Sequence, residues 1–387
     1  MSVLPTAEAG WSFPLCPAGP PWRIEWAALV DRFEWLRAMA GCPQDRVFHA
    51  EGDVLIHTGM VAEALVALPA WQLLPAETRS ILFAAALLHD VAKPRCTATE
   101  PDGRISARSH TRLGAMMARQ ILWRGGTATD RPVPFACREA VVGLVRHHGL
   151  PVYLTDEPEP ERATIRASQR VRCDWLALLA EADARGRSSP DPDDLLARIG
   201  LFRDYARERG CLEAPYPFAS DHSRFLYFRK AGNDPPYAAY DDTRCQVTLL
   251  SGLPGAGKDH YLRHSLPGLP VVSLDALREA LGASPSGAQG AVIDEARERA
   301  REHLRAGRDF AWNATNLIRP MRERLIDLFA GYGARVRIVY LEVPWAEMAR
   351  RNAGRSRPVP DAVLRRMAAN LEVPDRTEAQ QVLLLAE

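Results

Sequence analysis

A chain of 387 residues is long enough for two domains, each burying its own core. Lysine plus arginine (49) against aspartate plus glutamate (48) leaves a net charge of +1, which excludes a histone-like basic surface over the whole chain but not a local basic groove. The longest apolar stretch, ILFAAALLH, is too short to cross a bilayer, the N-terminus lacks the basic start and apolar run of a signal peptide, and the seven cysteines form no C-x-x-C pair, so a reducing cytoplasm and no membrane partner are expected.

Residues 1–21 are rich in proline and glycine and are expected to be flexible. From 22 to 211 apolar residues recur at helical spacing, as in MVAEALVAL, RSILFAAALLHDVA, REAVVGLVRHH and CDWLALLAEADARG, which predicts an all-α domain. Within it, ligand-type residues punctuate the helices in the order His57, His89-Asp90, His110, His147-His148 and Asp183, with Lys93 one turn beyond Asp90. Any one of these is ordinary, but the cluster points to a metal site, and mixed imidazole and carboxylate donors suit a divalent transition metal. Residues 212–243 read as an ordered linker. Its run HSRFLYFR interleaves Phe225, Tyr227 and Phe228 with Arg224 and Arg229, a pattern that fits domain packing better than base stacking.

From 244 to 387 short β-rich runs (QVTLLSG, PVVSL, DFAWN, RVRIVYLEV) alternate with helices, which predicts an α/β domain with a parallel sheet. The first run feeds GLPGAGKD, a G-x-x-x-x-G-K loop. Gly252, Gly255, Ala256, Gly257, Lys258, Asp259 and His260 are therefore the candidate nucleotide-binding residues: backbone N–H groups wrap the phosphates, and Lys258 reaches the β and γ oxygens. Lysine occurs only at 93, 230 and 258, so two of the three fall inside these motifs.

After the next strand comes Asp275 with Arg278 one turn on, a candidate general base (or helix cap) with a basic partner. Arg350, Arg351, Arg355 and Arg357 border a Gly/Pro loop able to close over a triphosphate. Asp259 stands where a serine or threonine is usual, while AWNATNL offers no acid at its strand end; a carboxylate moved from one place to the other would keep a ligand for Mg²⁺.

The H…HD…H…HH…D series over about residues 50–190 resembles the HD phosphohydrolase superfamily. That likeness implies a helical bundle with His57, His89, Asp90 and Asp183 around one metal, and His110, His147, His148 and bridging Asp90 around a second, with Lys93 facing substrate phosphate. Residues 245–371 resemble the 5'-hydroxyl polynucleotide kinases. Their likeness implies Lys258 on ATP or another nucleoside triphosphate with Mg²⁺, Asp275 as general base, Arg278 on the acceptor phosphate, Arg351 and Arg355 in a lid, and Asn316 in a strand-end TN segment. Together the chain resembles the bacterial HD-Pnk end-healing enzymes. This implies phosphorylation of 5'-OH ends, removal of 2',3'-cyclic phosphate or 3'-phosphate ends of RNA or DNA, and a ligase as partner. The alternatives are a nucleoside or antibiotic kinase fused to an HD nucleotidase, and a non-catalytic ATP-sensing regulator.

Overall fold

A helix whose every side is apolar has to run through a core, and Ala76–Leu88 does so: each residue from Ser80 to Leu88 is buried. The computed structural model describes residues 10–45, 47–125, 132–230, 232–283, 290–355 and 357–386, and the chain divides into two units, Met1–Pro217 and Phe218–Glu387. The first unit holds α1 (Trp26–Arg32), α2 (Val54–Ala67), α3 (Ala76–Leu88), α4 (His110–Arg124), α5 (Phe135–His147), α6 (Pro160–Ser168), α7 (Cys173–Arg185) and α8 (Pro192–Glu208). A small antiparallel hairpin, β1 (Thr97–Thr99) with β2 (Ile105–Ala107), interrupts the helices and was not expected from the sequence.

Around α3 pack the buried stripes of α2, α5 and α7. Helix α2 is started by Asp53, whose side chain accepts from Ile56 N at 2.9 Å and from Gly41 N at 2.6 Å. Gly186, just beyond α7, lies so close to α2 that a Cβ there would stand 2.5 Å from Val61 N; only glycine lets the end of α7 reach the His57 turn. The expectation of a loose N-terminus through residue 21 does not hold for Trp11 and Phe13, which are buried, and the Phe13 ring lies 5.4 Å from that of Phe33. Apolar aromatic area outweighs the local proline and glycine content there. Residues 1–9 of that stretch lie outside the described residues.

The second unit opens with α9 (Asp221–Arg229) and continues through β3 (Cys245–Ser251), α10 (Lys258–Ser265), β4 (Val271–Ser273), α11 (Leu274–Ala280), α12 (Gly290–Arg305), β5 (Phe310–Asn313), α13 (Arg319–Gly331), β6 (Ala334–Glu342), α14 (Trp345–Ala353), α15 (Asp361–Ala369) and β7 (Gln381–Ala386). All five strands are parallel in the order β4-β5-β3-β6-β7, with β7 an additional edge strand beyond the four read from the sequence. The chain leaves β3 toward β5 and β4 and later returns to β6 on the other side, so the loop after β3 sits at the point where the strand order reverses, the crevice in which such sheets bind ligands.

Much of the segment expected as a linker belongs to this unit. Phe225 joins the core beneath the sheet, and the Arg224 guanidinium donates to the carbonyls of Arg376 (2.8 Å) and Gln380 (2.7 Å). Its aromatics are packing residues: Phe225 and Tyr227 are buried.

Candidate functional site

Helix α3 ends by presenting His89 and Asp90 inside the first unit, each only 1% exposed. A carboxylate so deep is costly unless paired. Asp90 Oδ2 lies 2.7 Å from Lys93 Nζ and 3.2 Å from His89 Nε2, and Asp90 Oδ1 lies 3.6 Å from His110 Nε2. Burial by itself would raise the Asp90 carboxyl, but the Lys93 ammonium and His89 reverse the sign and hold it well below its ordinary value. From the buried stripe of α2, His57 brings Nε2 to 3.4 Å from His89 Nε2 and 3.1 Å from Asp183 Oδ1. Asp183, near the end of α7, is likewise buried, which raises its carboxyl, and is pulled well below the ordinary range by Arg187 at 2.6 Å and by His57. His57, His89 and Asp90 thus form one group with ligand atoms within 4.8 Å of one another, and Asp90, His110 and His148 form another.

The second group supplies the test of whether a cation fits. His110 Nδ1 is bound to Ala107 O at 2.8 Å and His148 Nδ1 to Val145 O at 2.9 Å, so the hydrogen-bond network assigns the proton of each ring to Nδ1. Burial lowers both imidazole pKa values, that of His148 to about 3, which keeps the rings neutral. Their Nε2 lone pairs then face each other across 3.4 Å, beside Asp90 Oδ1, which is buried without a hydrogen-bond partner among the described residues. Three acceptors converging with no donor between them are the donor set of a divalent metal. Two imidazole nitrogens about 2.1 Å from one cation stand about 3.4 Å apart at a near-tetrahedral angle.

His147 takes no part in either group. It precedes His148 by one position, roughly 100° around the helix. Arg187 was not among the residues read from the sequence, nor were three residues between positions 44 and 51. Glu51 Oε1 lies 2.8 Å from His57 Nδ1 and 2.9 Å from His49 Nδ1, and its other oxygen accepts from Ser188 N at 2.9 Å. Gln44 Oε1 accepts from Lys93 Nζ at 2.7 Å. All three sit in a loop without helical periodicity; the one available signal was an acid six positions before a candidate ligand histidine.

In the second unit the loop after β3 has positive φ at Gly252 (146°), Gly255 (88°) and Gly257 (100°), and a Cβ on Gly252 would lie 2.4 Å from Leu341 O. Ala256 is buried and its N–H donates to Leu253 O at 3.1 Å. Lys258 Nζ donates to the carbonyls of Gly252 and Leu253, both at 2.9 Å; burial lowers its pKa to about 8 against the pull of Asp259 and Asp275. Asn316, with φ 44°, ties the loop's base: its amide donates to Leu250 O at 2.6 Å, and its carbonyl accepts from Ser251 Oγ at 3.0 Å.

Ser273, not Asp275, caps α11, accepting from Ala276 N at 3.4 Å; Asp275 is left exposed, paired with Arg278 and within electrostatic reach of Lys258. Arg351 lies over the loop, where a Cβ on Gly257 would meet its guanidinium at 3.8 Å, and Arg355 is also within electrostatic reach of Lys258. Arg350 pairs with Glu347 at 2.6 Å, and Arg357 is exposed. His260 is exposed and stacks on His264 with ring centroids 3.9 Å apart.

Two known domain families match the chain, an HD domain over residues 54–183 and an AAA domain over residues 247–374. Among curated proteins it is 34% identical over 139 residues to the A-adding tRNA nucleotidyltransferase of Deinococcus radiodurans, covering 35% of this chain and 30% of that protein. It is 31% identical over 185 residues to the multifunctional CCA protein of Ralstonia nicotianae, covering 46% of this chain and 38% of that one. The chain thus spans about a third of the length of the curated relatives it matches. Among solved structures it is similar to a putative kinase from Chloroflexus aurantiacus, with TM-score 0.31, 16% identity, and coverage of 38% of this chain and 86% of that chain. A gluconokinase from Sinorhizobium meliloti has TM-score 0.28 and 17% identity, covering 37% of this chain and 83% of that chain.

Proposed function

We propose that this chain, which joins an HD domain to a P-loop domain of kinase type, heals the two ends of broken RNA. The P-loop domain moves a phosphoryl group from a nucleoside triphosphate to a 5'-hydroxyl end. The HD domain opens a 2',3'-cyclic phosphate and removes the resulting terminal phosphate. The observation that carries this reading is the co-occurrence in one chain of the His57–His89–Asp90–His110–His148 cluster and a P-loop accompanied by Asp275 and Arg278. Adding and removing phosphate on one small molecule cancel; on opposite ends of a broken strand they are complementary, and they leave ends that a ligase joins. One curated relative is, by name, a tRNA nucleotidyltransferase, which is in keeping with an RNA substrate.

In the kinase, backbone N–H groups of the loop and Lys258 hold the triphosphate. Asp275 accepts the proton of the attacking hydroxyl as its oxygen bonds to the γ-phosphorus and the bond to the β–γ bridging oxygen breaks; Arg351 and Arg355 balance charge on the phosphoryl in transfer. In the HD domain, His57, His89, Asp90 and Asp183 hold one divalent metal, and Asp90, His110 and His148 a second. Metals in such a site polarise phosphoryl oxygens and acidify water. Lys93, fixed by Asp90 and Gln44, and Arg187 bring positive charge to the substrate phosphate.

The test is an RNA oligomer with a 5'-hydroxyl and a 3'-phosphate, incubated with γ-labelled ATP and divalent metals. We expect label at the 5' end and loss of the 3' phosphate, with Asp275→Ala lowering only the first by about 10²–10⁴-fold and Asp90→Ala abolishing only the second. Faster labelling of a free nucleoside than of the oligomer would overturn the substrate assignment, and loss of both activities in either variant would overturn the independence of the sites.

A further inference from the structure

Magnesium in a P-loop site ordinarily has two protein contributors, a hydroxyl directly after the loop lysine and a carboxylate at a neighbouring strand end. In this chain both places carry something else, and the changes are complementary: Asp259 follows Lys258, and Asn313 ends β5. The fold brings the two together, with Asn313 Nδ2 donating to Asp259 Oδ1 at 2.7 Å. Asn313 is held by the sheet, buried to 8% exposure, while Asp259 is exposed at the mouth of the loop. One carboxylate oxygen is thus fixed by a buried amide, and the other makes no hydrogen bond among the described residues.

We propose that Asp259 is the protein's carboxylate for the magnesium of a bound nucleoside triphosphate and that Asn313 positions it, the acidic and neutral places of the site having been exchanged. The inference rests on the P-loop binding a nucleotide and is independent of the acceptor. The charge balance supports it. A carboxylate beside Lys258 faces a polyanionic triphosphate, a repulsion that becomes an attraction only with a divalent cation between the two. Hard oxygen donors, one or two of them carboxylates, are what Mg²⁺ takes. The competing role, an acid in the first turn of α10 that favours the helix dipole, predicts an effect on stability with none on metal dependence.

The two roles separate in ATP binding by calorimetry, run on the full chain with Mg²⁺ and with chelator, and in Mn²⁺ binding to the ATP complex by electron paramagnetic resonance. Asp259→Asn keeps the shape and the Asn313 hydrogen bond. We expect it to weaken Mn²⁺ retention by at least the roughly tenfold that loss of an outer-sphere partner costs, while ATP binding in chelator is unchanged or tighter. The double variant Asp259→Ser/Asn313→Asp, which restores the usual arrangement, recovers the metal enhancement. Unchanged Mn²⁺ retention in Asp259→Asn, or no recovery in the double variant, would overturn the assignment. A protein that phosphorylates no RNA end but loses metal enhancement in Asp259→Asn keeps this inference and loses the acceptor reading; RNA phosphorylation with unaltered metal binding in the variant does the reverse.

Discussion

Glu51 was not among the candidates read from the sequence, and its geometry gives it a definite task. Its carboxyl is subject to burial, which raises it, but contact with His57 and the Ser188 N–H lowers it to about 2, so it stays ionised beside the His57 ring. A carboxylate facing the far nitrogen of a ligating imidazole fixes the ring's orientation and raises its basicity. Glu51→Gln is therefore expected to lower metal affinity of the first unit by about 10–100-fold, read as metal content after dialysis against graded chelator, with the helical circular dichroism unchanged. Equal metal content in variant and parent would remove Glu51 from the site.

At the scale of elements, the kinase loop depends on a brace assembled from distant segments. Arg322 of α13 and Glu378 form a two-pronged pair at 2.7 and 2.9 Å with both side chains almost fully buried, and Arg322 also donates to the carbonyls of Asn316 (3.1 Å) and Glu372 (2.8 Å). Asn316 in turn is the strut beneath the P-loop. Removing one partner of a buried pair strands the other charge, so Arg322→Met is expected to cost about 3–5 kcal/mol in denaturant unfolding. The double variant Arg322→Met/Glu378→Leu should recover much of that loss, because no uncompensated charge remains. Equal costs for the single and double variants would contradict this account. Sequence periodicity identified α13 but could not pair its arginine with a glutamate 56 positions away.

Across the whole molecule, the place where the second unit begins has a measurable consequence. Arg224 and Phe225 anchor α9 to the sheet unit, so a fragment starting at Phe218 keeps that packing and one starting at Arg244 loses it. The shorter fragment forfeits at least a buried phenylalanine, an effect of about 3–5 kcal/mol. We expect the longer fragment to unfold cooperatively and bind ATP, and the shorter to melt lower or aggregate. Indistinguishable melting curves would return residues 218–243 to the role of a linker.

The local parts of this protein were determined by its sequence. The helical period of the first half, the four β runs of the second, the glycine loop and the order of histidines and aspartates all depend on neighbours a few residues apart, and side-chain periods of 3.6 and 2 report them directly. The tertiary structure alone decided which groups meet. It brought His148 together with Asp90 and His110, made Ser273 the cap and left Asp275 exposed, added β7 by pairing it with β6, and joined Asn313 to Asp259 across 54 positions. These outcomes follow from packing between segments far apart in the chain, where burial and charge pairing outweigh local propensity and no spacing rule applies.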